Sequence, residues 1–439
     1  MRIQGILLIS ALMLAPLYWV VPLMGKHDAV AAFSQYLGMA SLIGMACVQI
    51  LAMRLPGTSL IFGPLDKVYV LHKWVAVVAV SAAALHDTID AEMRDLGRPG
   101  GLESLAETMG EIGFYGLLLL GFATIIPFIP YHLWKLSHKF IGAFFALSAF
   151  HYFFIEKPFD NADPLGLYVG GFCAAGLLAY LYMLLFYGML SRRHRYSIEA
   201  VDRMGDVTEL TLAPVGRGMK HKAGQFVFIG LDLDNMGEVH PFTLSGAPQE
   251  DRKLRVAIKA LGDYTSQLPE RVQPGVQAVL RGPFGGFCRP RVSTPQLWVA
   301  GGIGITPFLS WLRGVEGDLP APTWLYYCVS QPDAPFVAEL QALAARIDHL
   351  NLKVIVSGQG RLTADRVRAD MGEFADNAGR WFCGPDSLRD ALQDGLGGSK
   401  FHAEAFEIRS GIGIRAASAW IWARLRPRLQ MAVEKRVKG

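Results

Sequence analysis

Four of the eleven histidines stand inside long apolar runs, His72 and His86 in one and His138 and His151 in another. An ionisable side chain is costly in such a setting and points to function. The intervals are 14 and 13 residues, a rise of about 20 Å in each helix. Each helix would then carry one imidazole near each membrane face. Two levels of two imidazoles suit two stacked six-coordinate haems, whose irons take axial nitrogen ligands. The expected pairs are His72 with His138 at the inner level and His86 with His151 at the outer level. One such histidine would read as an ordinary hydrogen-bonded interfacial residue; two matched pairs read as ligands. At about 100° per residue, a 14-residue step returns within about 40° of the same face, whereas a 13-residue step misses by about 140°. The second helix must therefore be bent, tilted or bulged between its ligands, with Gly142 a natural place. Phe144 falls between the two levels, where a ring could sit between the haems or simply pack. His27 and His132 lie in loops and read as interfacial.

The elements that must position these rings are membrane spans. Of the 439 residues, 52% are hydrophobic, and nearly all the long apolar runs precede Leu190. Six runs reach the length a bilayer needs: 3–22, 29–53, 68–89, 112–128, 136–155 and 165–190. The first lacks a small-residue cleavage site, and Tyr18-Trp19 suits an interfacial belt, so it reads as a span and not as a signal peptide. Arg54, Lys67, Lys135, Arg192, Arg193 and Arg195 alternate onto one side, while Asp87, Asp90, Glu92, Asp95, Glu103, Glu107, Asp160 and Asp163 gather on the other. The positive side is expected to be cytoplasmic, with both termini and the soluble half inside. The acidic stretch 87–111 reads first as the side lacking Lys and Arg. The net charge of +4 says little about partners, and nothing calls for nucleic acid. The five cysteines are scattered without a CxxC pair, so neither a disulfide framework nor a zinc site is expected.

After Arg192 the pattern changes. Short alternating runs at 209–212, 225–229 and 254–258, separated by Gly, Pro and Asp turns, suggest a small antiparallel β-barrel up to about Arg291. Then Gln296-Leu297-Trp298-Val299-Ala300 runs into Gly301-Gly302-Ile303-Gly304-Ile305-Thr306-Pro307. A buried strand, a glycine turn and a helix beginning near Thr306 form a phosphate-cradling arrangement. Further runs at 324–329 and 352–356 alternate with helical stretches, as in a parallel α/β sheet. The expected fold is a six-span α-helical membrane bundle (1–190), an antiparallel β-barrel flavin domain (191–291), an α/β nucleotide-binding domain (292–409) and a basic tail (410–439).

His240-Pro241-Phe242-Thr243-Leu244-Ser245, Gly262-Asp263-Tyr264-Thr265 and Gly282-Pro283-Phe284-Gly285 closely resemble the flavin domain of NADPH oxidases and ferric reductases. The glycine turn, Cys383-Gly384-Pro385 and His402-Ala403-Glu404-Ala405-Phe406 resemble the nucleotide domain of the same ferredoxin-reductase-like superfamily, and the paired histidines resemble that family's haem ligands. The resemblance runs from about Leu37 to Arg409. It implies that His240, Pro241, Phe242, Thr243 and Ser245 surround the isoalloxazine of FAD, with Lys259 and Thr265 near its pyrophosphate. Gly301, Gly302, Gly304 and Thr306, with Gly384 and Pro385, would hold NADPH or NADH. Cys383 would border the nicotinamide and Phe406 would cover the flavin. It further implies an integral membrane oxidoreductase with FAD and two b-type haems. Such a protein passes electrons from cytoplasmic NAD(P)H across a bacterial inner or plasma membrane to an extracytoplasmic one-electron acceptor, oxygen or a ferric chelate. The alternative is a feeder of an extracytoplasmic redox protein or quinone.

Two positions depart from the family pattern. Members preferring NADPH often carry an Arg after the strand ending near Val329, where this chain has Ser330-Gln331, and Arg361 reads as a solvated loop residue. Some oxidases of the family carry another His four residues after the outer ligand, where this chain has Asp90. In the tail, Trp420 and Trp422 with Arg424, Arg426, Arg428, Lys435, Arg436 and Lys438 suit contact with an anionic leaflet.

Overall fold

The computed structural model describes residues 2–55, 57–89, 91, 101–125, 129, 131–234, 236, 238–262, 264–290 and 292–404. Phe406, Asp90, Glu92, Asp95, the His132 side chain and the tail 410–439 lie outside the described residues. The chain divides into two compact units, breaking between Leu190 and Ser191.

The first unit is helical. It runs through α1 (Ile3–Leu14), α2 (Leu17–Met24), α3 (Ala29–Ala52), α4 (Thr58–Phe62), α5 (Leu65–Thr88), α6 (Glu103–Ile125), α7 (Tyr131–His138), α8 (Ile141–Phe154), α9 (Pro164–Leu181), a π-turn at Tyr182–Phe186 and α10 (Tyr187–Leu190). Among the described residues, five helices are long and apolar enough to cross a membrane: Ile3–Met24, Ala29–Ala52, Leu65–Thr88, Glu103–Thr124 and Pro164–Leu190. The run expected as a fifth span is not one of them, because it is divided between α7 and α8. The break falls at Lys139–Phe140, where amides reach back only three residues, to Leu136 and Ser137. That tighter winding advances the chain by about 120° per residue, the direction needed to recover the angle a 13-residue step loses. The interruption thus sits two residues ahead of Gly142. Gly142 itself has another duty, since a Cβ there would enter the Tyr180 ring.

The helix expected at 112–128 begins nine residues earlier, at Glu103. The acidic stretch there is its first turns, where carboxylates favour the positive end of the helix dipole.

Central to the bundle is α3, which packs against α1, α2, α5 and α9. Its many small residues permit this, as is usual between helices in lipid: a Cβ on Gly44 would lie 2.9 Å from the Ala79 methyl. Asp28 caps its start, accepting from the Val30 and Ala31 amides at 2.9 Å each. A second close pair is α6 with α8. Gly110, Gly113 and Gly116, one per turn, face His151, Ser148 and Phe144. A Cβ at Gly113 would stand 2.5 Å from Ser148 Oγ, and one at Gly116 would enter the Phe144 ring. Phe144 thus packs onto α6. The outward faces of α5, α6 and α9 expose Val78, Leu119, Phe122 and Leu178, as lipid-facing surfaces do.

The second unit holds two sheets. The first contains β1 (His194–Met204), β2 (Val207–Pro214), β3 (Phe226–Leu231), β4 (His240–Thr243), β5 (Leu254–Lys259) and β6 (Gln277–Phe284), in the antiparallel order β4-β3-β6-β1-β2-β5. It curls until its two edges meet at a Leu244–Val256 bridge. The short α11 (Leu268–Arg271) precedes β6. The second sheet is parallel, in the order β11-β10-β7-β8-β9, from β7 (Gln296–Gly301), β8 (Thr323–Val329), β9 (Leu350–Val356), β10 (Gly379–Cys383) and β11 (His402–Ala403). It is layered with α12 (Thr306–Arg313), α13 (Val337–Arg346), α14 (Ala364–Met371) and α15 (Asp386–Leu396). Buried Trp298, Phe308 and Trp311 join Phe287 of the preceding loop in one aromatic cluster.

Crowding at Gly116 gives a test of the α6–α8 packing. Gly116→Ala should destabilise the protein by about 1–3 kcal/mol, read as a lowered thermal midpoint in detergent. Gly121→Ala, where a Cβ meets nothing within 4 Å, should not.

Candidate functional site

The four membrane histidines stand on three helices, one pair on α5 and one divided between α7 and α8. On α5 stand His72 and His86; His138 closes α7 and His151 lies near the end of α8. The His72 and His138 rings have centroids 6.4 Å apart. Two imidazoles facing each other across one metal, each nitrogen at about 2 Å, have ring centres about 6 Å apart. His86 and His151 both line one cavity of about 380 Å³. Asp87, Glu107, Glu111 and Lys157 also line it.

Hydrogen bonding fixes which nitrogen each ring offers. His72 Nδ1 lies 3.1 Å from the Val48 carbonyl, and His151 Nδ1 lies 2.9 Å from the Ala106 carbonyl. A carbonyl only accepts, so both Nδ1 atoms carry the proton and both Nε2 atoms are bare. His86 Nδ1 lies 2.9 Å from Ser34 Oγ, and that hydroxyl is also 3.2 Å from the His86 carbonyl. With its proton given to that carbonyl, the hydroxyl accepts from Nδ1–H, the arrangement that leaves His86 Nε2 bare as well. Such an anchored Nδ1–H is the usual support of a ligating histidine. His138 Nδ1 is buried with no hydrogen-bond partner among the described residues, and its ring packs on Trp134 at 5.2 Å. Room for the outer rings comes from glycine: a Cβ on Gly38 would lie 3.2 Å from His86 Nε2, and one on Gly110 2.6 Å from His151 Nδ1. No group of three or more His, Cys, Asp or Glu side chains is gathered for a bare ion among the described residues. A porphyrin iron needs only two protein ligands at each level, and the ring pairs fit that group.

Sequence reasoning named the four rings but not Ser34, Val48, Ala106, Gly38 or Gly110. Ser34, a hydroxyl in an apolar helix, was the one signal available; backbone carbonyls leave none.

In the soluble unit, β4 carries His240, Pro241, Phe242 and Thr243, paired with Ile229, Phe228, Val227 and Phe226 of β3. His240 and Phe242 share a face, with ring centroids 6.4 Å apart, and His240 lies on Tyr264 at 4.1 Å. Burial pushes the Tyr264 hydroxyl up to about 12, with the Glu238 carboxylate adding to it. His240 Nε2 is 3.2 Å from Glu238. Ser245 is fully buried, and its hydroxyl donates to Glu209 at 2.6 Å. Lys259 pairs with Asp206 at 3.1 Å. Thr265 Oγ1 accepts from the Leu261 and Gly262 amides at 3.0 and 3.1 Å.

The nucleotide-type turn sits where β7 and β10, neighbours in the sheet, both end. Gly304 packs on Cys383, a Cβ there lying 2.6 Å from the Cys383 carbonyl carbon, and a Cβ on Gly301 would lie 2.6 Å from Pro385 Cδ. Gly384 approaches the Gly301 amide, at 2.9 Å from a Cβ. Gly302 differs: its φ is +53° and a Cβ would meet nothing within 4 Å. Thr306 starts α12 and turns its hydroxyl back to the Ile303 carbonyl at 3.0 Å. Cys383 is buried at the end of β10. Burial pushes its thiol well above the usual range, and the nearby Glu404 charge adds to this. Glu404, to which sequence reasoning gave no role, accepts from the Gly286 and Phe287 amides at 3.2 and 3.3 Å. Ser330 and Gln331 are exposed beyond β8.

With this geometry in hand, comparison with known proteins finds a ferric reductase like transmembrane component at residues 37–149 and an FAD-binding domain at 192–301. Curated relatives include the ferredoxin–NAD(P)(+) reductase component of naphthalene 1,2-dioxygenase/salicylate 5-hydroxylase systems from Ralstonia sp, 30% identical over 38% of this chain and 56% of that protein. The glycine betaine monooxygenase reductase subunit of Pseudomonas aeruginosa is 25% identical over 45% of this chain and 61% of that one. NADPH oxidase 3 of Rattus norvegicus is 36% identical over 26% of this chain and 21% of its own length. The chain spans 56% and 61% of the first two relatives' lengths. A ferric-reductase-type membrane component joined to an FAD-binding domain defines a class of membrane oxidoreductases. The chain thus matches a ferric reductase like transmembrane component and an FAD-binding domain in succession, and over part of its length it is similar to NADPH oxidase 3 and dual oxidase 2 of Rattus norvegicus.

Thiol exposure tests the closed β7–β10 end. At pH 8, iodoacetamide should modify half-buried Cys288 well before Cys383, since a buried, high-pKa thiol is inert, as read by peptide mass spectrometry. Gly304→Ala should bring Cys383 labelling forward; equal rates in the unaltered protein would mean that the turn is open.

Proposed function

We propose that the chain carries electrons from NAD(P)H on the cytoplasmic face, by way of FAD and two b-type haems, to an extracytoplasmic one-electron acceptor, oxygen or a ferric chelate. The observation that carries this reading is the pairing of four half-buried imidazoles at two levels. His72 and His138 are 6.4 Å apart, and His86 and His151 share a cavity.

When bound, FAD takes a hydride from NAD(P)H and releases electrons singly to haems, which carry one each. Everything else is the work of the chain. Its first unit supplies six spans, with α7 and α8 as the fifth. Val48, Ser34 and Ala106 hold the protons of three Nδ1 atoms, so that the Nε2 atoms stay free for iron. His138 closes the inner level, its orientation supported by Trp134. The closed antiparallel barrel presents His240, Pro241, Phe242 and Thr243 toward the isoalloxazine, with fully buried Ser245 behind them held on Glu209, and Lys259 and Thr265 toward the pyrophosphate. Gly302 leaves a bare backbone where a nucleotide phosphate can approach, and Gly301, Gly304, Thr306, Gly384 and Pro385 hold the loops beside it. Cys383 borders the nicotinamide and Phe406 covers the flavin. Glu404 anchors the strand end that leads to Phe406.

Purified protein supplied with NADH or NADPH, and assayed for superoxide-dismutase-sensitive dye reduction against Fe(III)-chelate reduction, tests the reading and assigns the acceptor. Absence of a Soret band from fully loaded protein would sink it. His86→Ala should leave one haem per chain and cut acceptor reduction at least about tenfold while flavin reduction continues. An unchanged haem content would reject His86 as a ligand. Ser34→Ala should weaken retention of the outer haem by about 10–100-fold, measured by haem transfer to an apo-acceptor.

A further inference from the structure

Arg313, the last residue of α12, is 11% exposed and faces two carboxylates. Its Nε and Nη2 donate to Glu339 Oε1 and Oε2 at 2.7 and 2.8 Å. Nη1 and Nη2 donate to Glu209 Oε1 and Oε2 at 2.7 and 3.1 Å. Nη1 donates again to the Ser245 carbonyl at 3.1 Å. A guanidinium has five N–H donors, and each is matched by one of these bonds. Glu339 belongs to α13, beside the parallel sheet, while Glu209 lies on β2 and Ser245 just after β4, in the curled sheet. The guanidinium therefore joins the two layers of the soluble unit. Ser310, one turn earlier, strengthens the seam: its hydroxyl donates to the Gly246 carbonyl at 2.6 Å and accepts from the Gly224 amide at 3.3 Å.

This seam lies between the two motifs that read as cofactor sites. α12 starts at Thr306, directly after the glycine turn, and ends at Arg313 about 10 Å further on. Ser245 closes the His240–Pro241–Phe242–Thr243 segment. A displacement at Arg313 would thus move the glycine turn relative to β4. Although burial alone would raise it, the bonds and charge of Arg313 hold the Glu209 carboxyl below the usual range, so the carboxylate stays ionised.

We propose that Arg313 is a positioning residue for hydride transfer, pinning the nucleotide layer to the flavin sheet and so setting the nicotinamide-to-flavin distance. This rests on the reading of the soluble unit as an NAD(P)H–FAD module. In that step the nicotinamide C4–H bond breaks, hydrogen and electron pair pass together to the flavin, and NAD(P)⁺ leaves. An error of about 1 Å in such a geometry costs on the order of 100-fold in rate.

The test is anaerobic stopped-flow reduction of the full-length, FAD-loaded protein by NADH and NADPH. Arg313→Met should slow flavin reduction about 10–100-fold at saturating nucleotide. Nucleotide affinity, FAD content and reduction by dithionite should stay unchanged. The isotope effect with 4-deuterated nucleotide should rise as the chemical step becomes limiting. Arg313→Lys, which keeps the charge but cannot form two forks, should fall between. Glu339→Gln spares the Glu209 pair and should slow reduction severalfold; with Arg313→Lys it carries the test if Arg313→Met does not fold. Rates within twofold of the unaltered protein in these two variants overturn the proposal. So does lost FAD or lost thermal stability with each remaining flavin reduced at the normal rate, the signature of a merely structural role. If neither nucleotide reduces the unaltered protein, the module reading falls and the proposal falls with it. Normal reduction in the unaltered protein and in every variant sinks the positioning role alone.

Discussion

A neutral imidazole has one proton for two nitrogens, so a buried ring can offer a bare Nε2 only if something else holds the proton on Nδ1. Much of the membrane unit's packing follows from supplying that acceptor. α3 provides two of them, Ser34 for His86 and the Val48 carbonyl for His72, so one helix fixes both levels of α5. The Ala106 carbonyl on α6 does the same for His151 on α8. Val48 and Ala106 lie inside helices, where each carbonyl also faces an amide four residues on; its second lone pair is the one the imidazole can use. A helix must come very close for its backbone to be reached this way, which is why α3 is rich in small residues and α6 carries glycine on successive turns.

Glycine serves the soluble unit by the same physics but with divided duties. At Gly304 and Gly384, a side chain would strike the neighbouring loop's backbone, and at Gly301 it would strike Pro385. These residues let β7 and β10 end side by side, whatever is bound. Of these four glycines, Gly302 alone combines a left-handed φ with open space. A glycine-rich turn read as one phosphate-binding signal therefore contains two separate requirements, and a single position leaves the approach to a ligand open.

How much of this the sequence made legible depends on the reach of each signal. The strands at 209–212, 254–258 and 296–300 and the helix starting at Thr306 are local patterns, and they stand within a few residues of where they were expected. β1 was not delineated, because Arg195, Glu199, Asp202 and Arg203 dilute its apolar alternation. The start of α6 was misplaced because hydropathy sees three glutamates as loop, whereas a helix tolerates them in its first turns. The expected distortion between His138 and His151 was inferable from angle alone, but its site at Lys139–Phe140 was not, since Gly142 was the only flexible residue in view. Backbone acceptors, and the aiming of Ser34 at one ring, belong to tertiary structure and have no sequence signature.

The seam at Arg313 raises the question of why a charged cluster stands where apolar packing would serve. Burying an ion pair gains little net stability, and well-packed hydrophobic replacements are often as stable or more so. What two forks supply is direction, since a planar guanidinium satisfied at all five donors permits one arrangement of its partners, where apolar side chains slide. Both carboxylates and the Ser245 carbonyl are hydrogen-bonded to it in one plane of donors. Breaking the seam would also take the guanidinium fork from Glu209, which is 3% exposed, and leave that carboxylate to the Ser245 hydroxyl and Arg255, so small displacements are penalised. A contact of that kind suits a boundary whose geometry matters more than its strength. The boundary between a layer that holds a hydride donor and a layer that holds its acceptor is such a place.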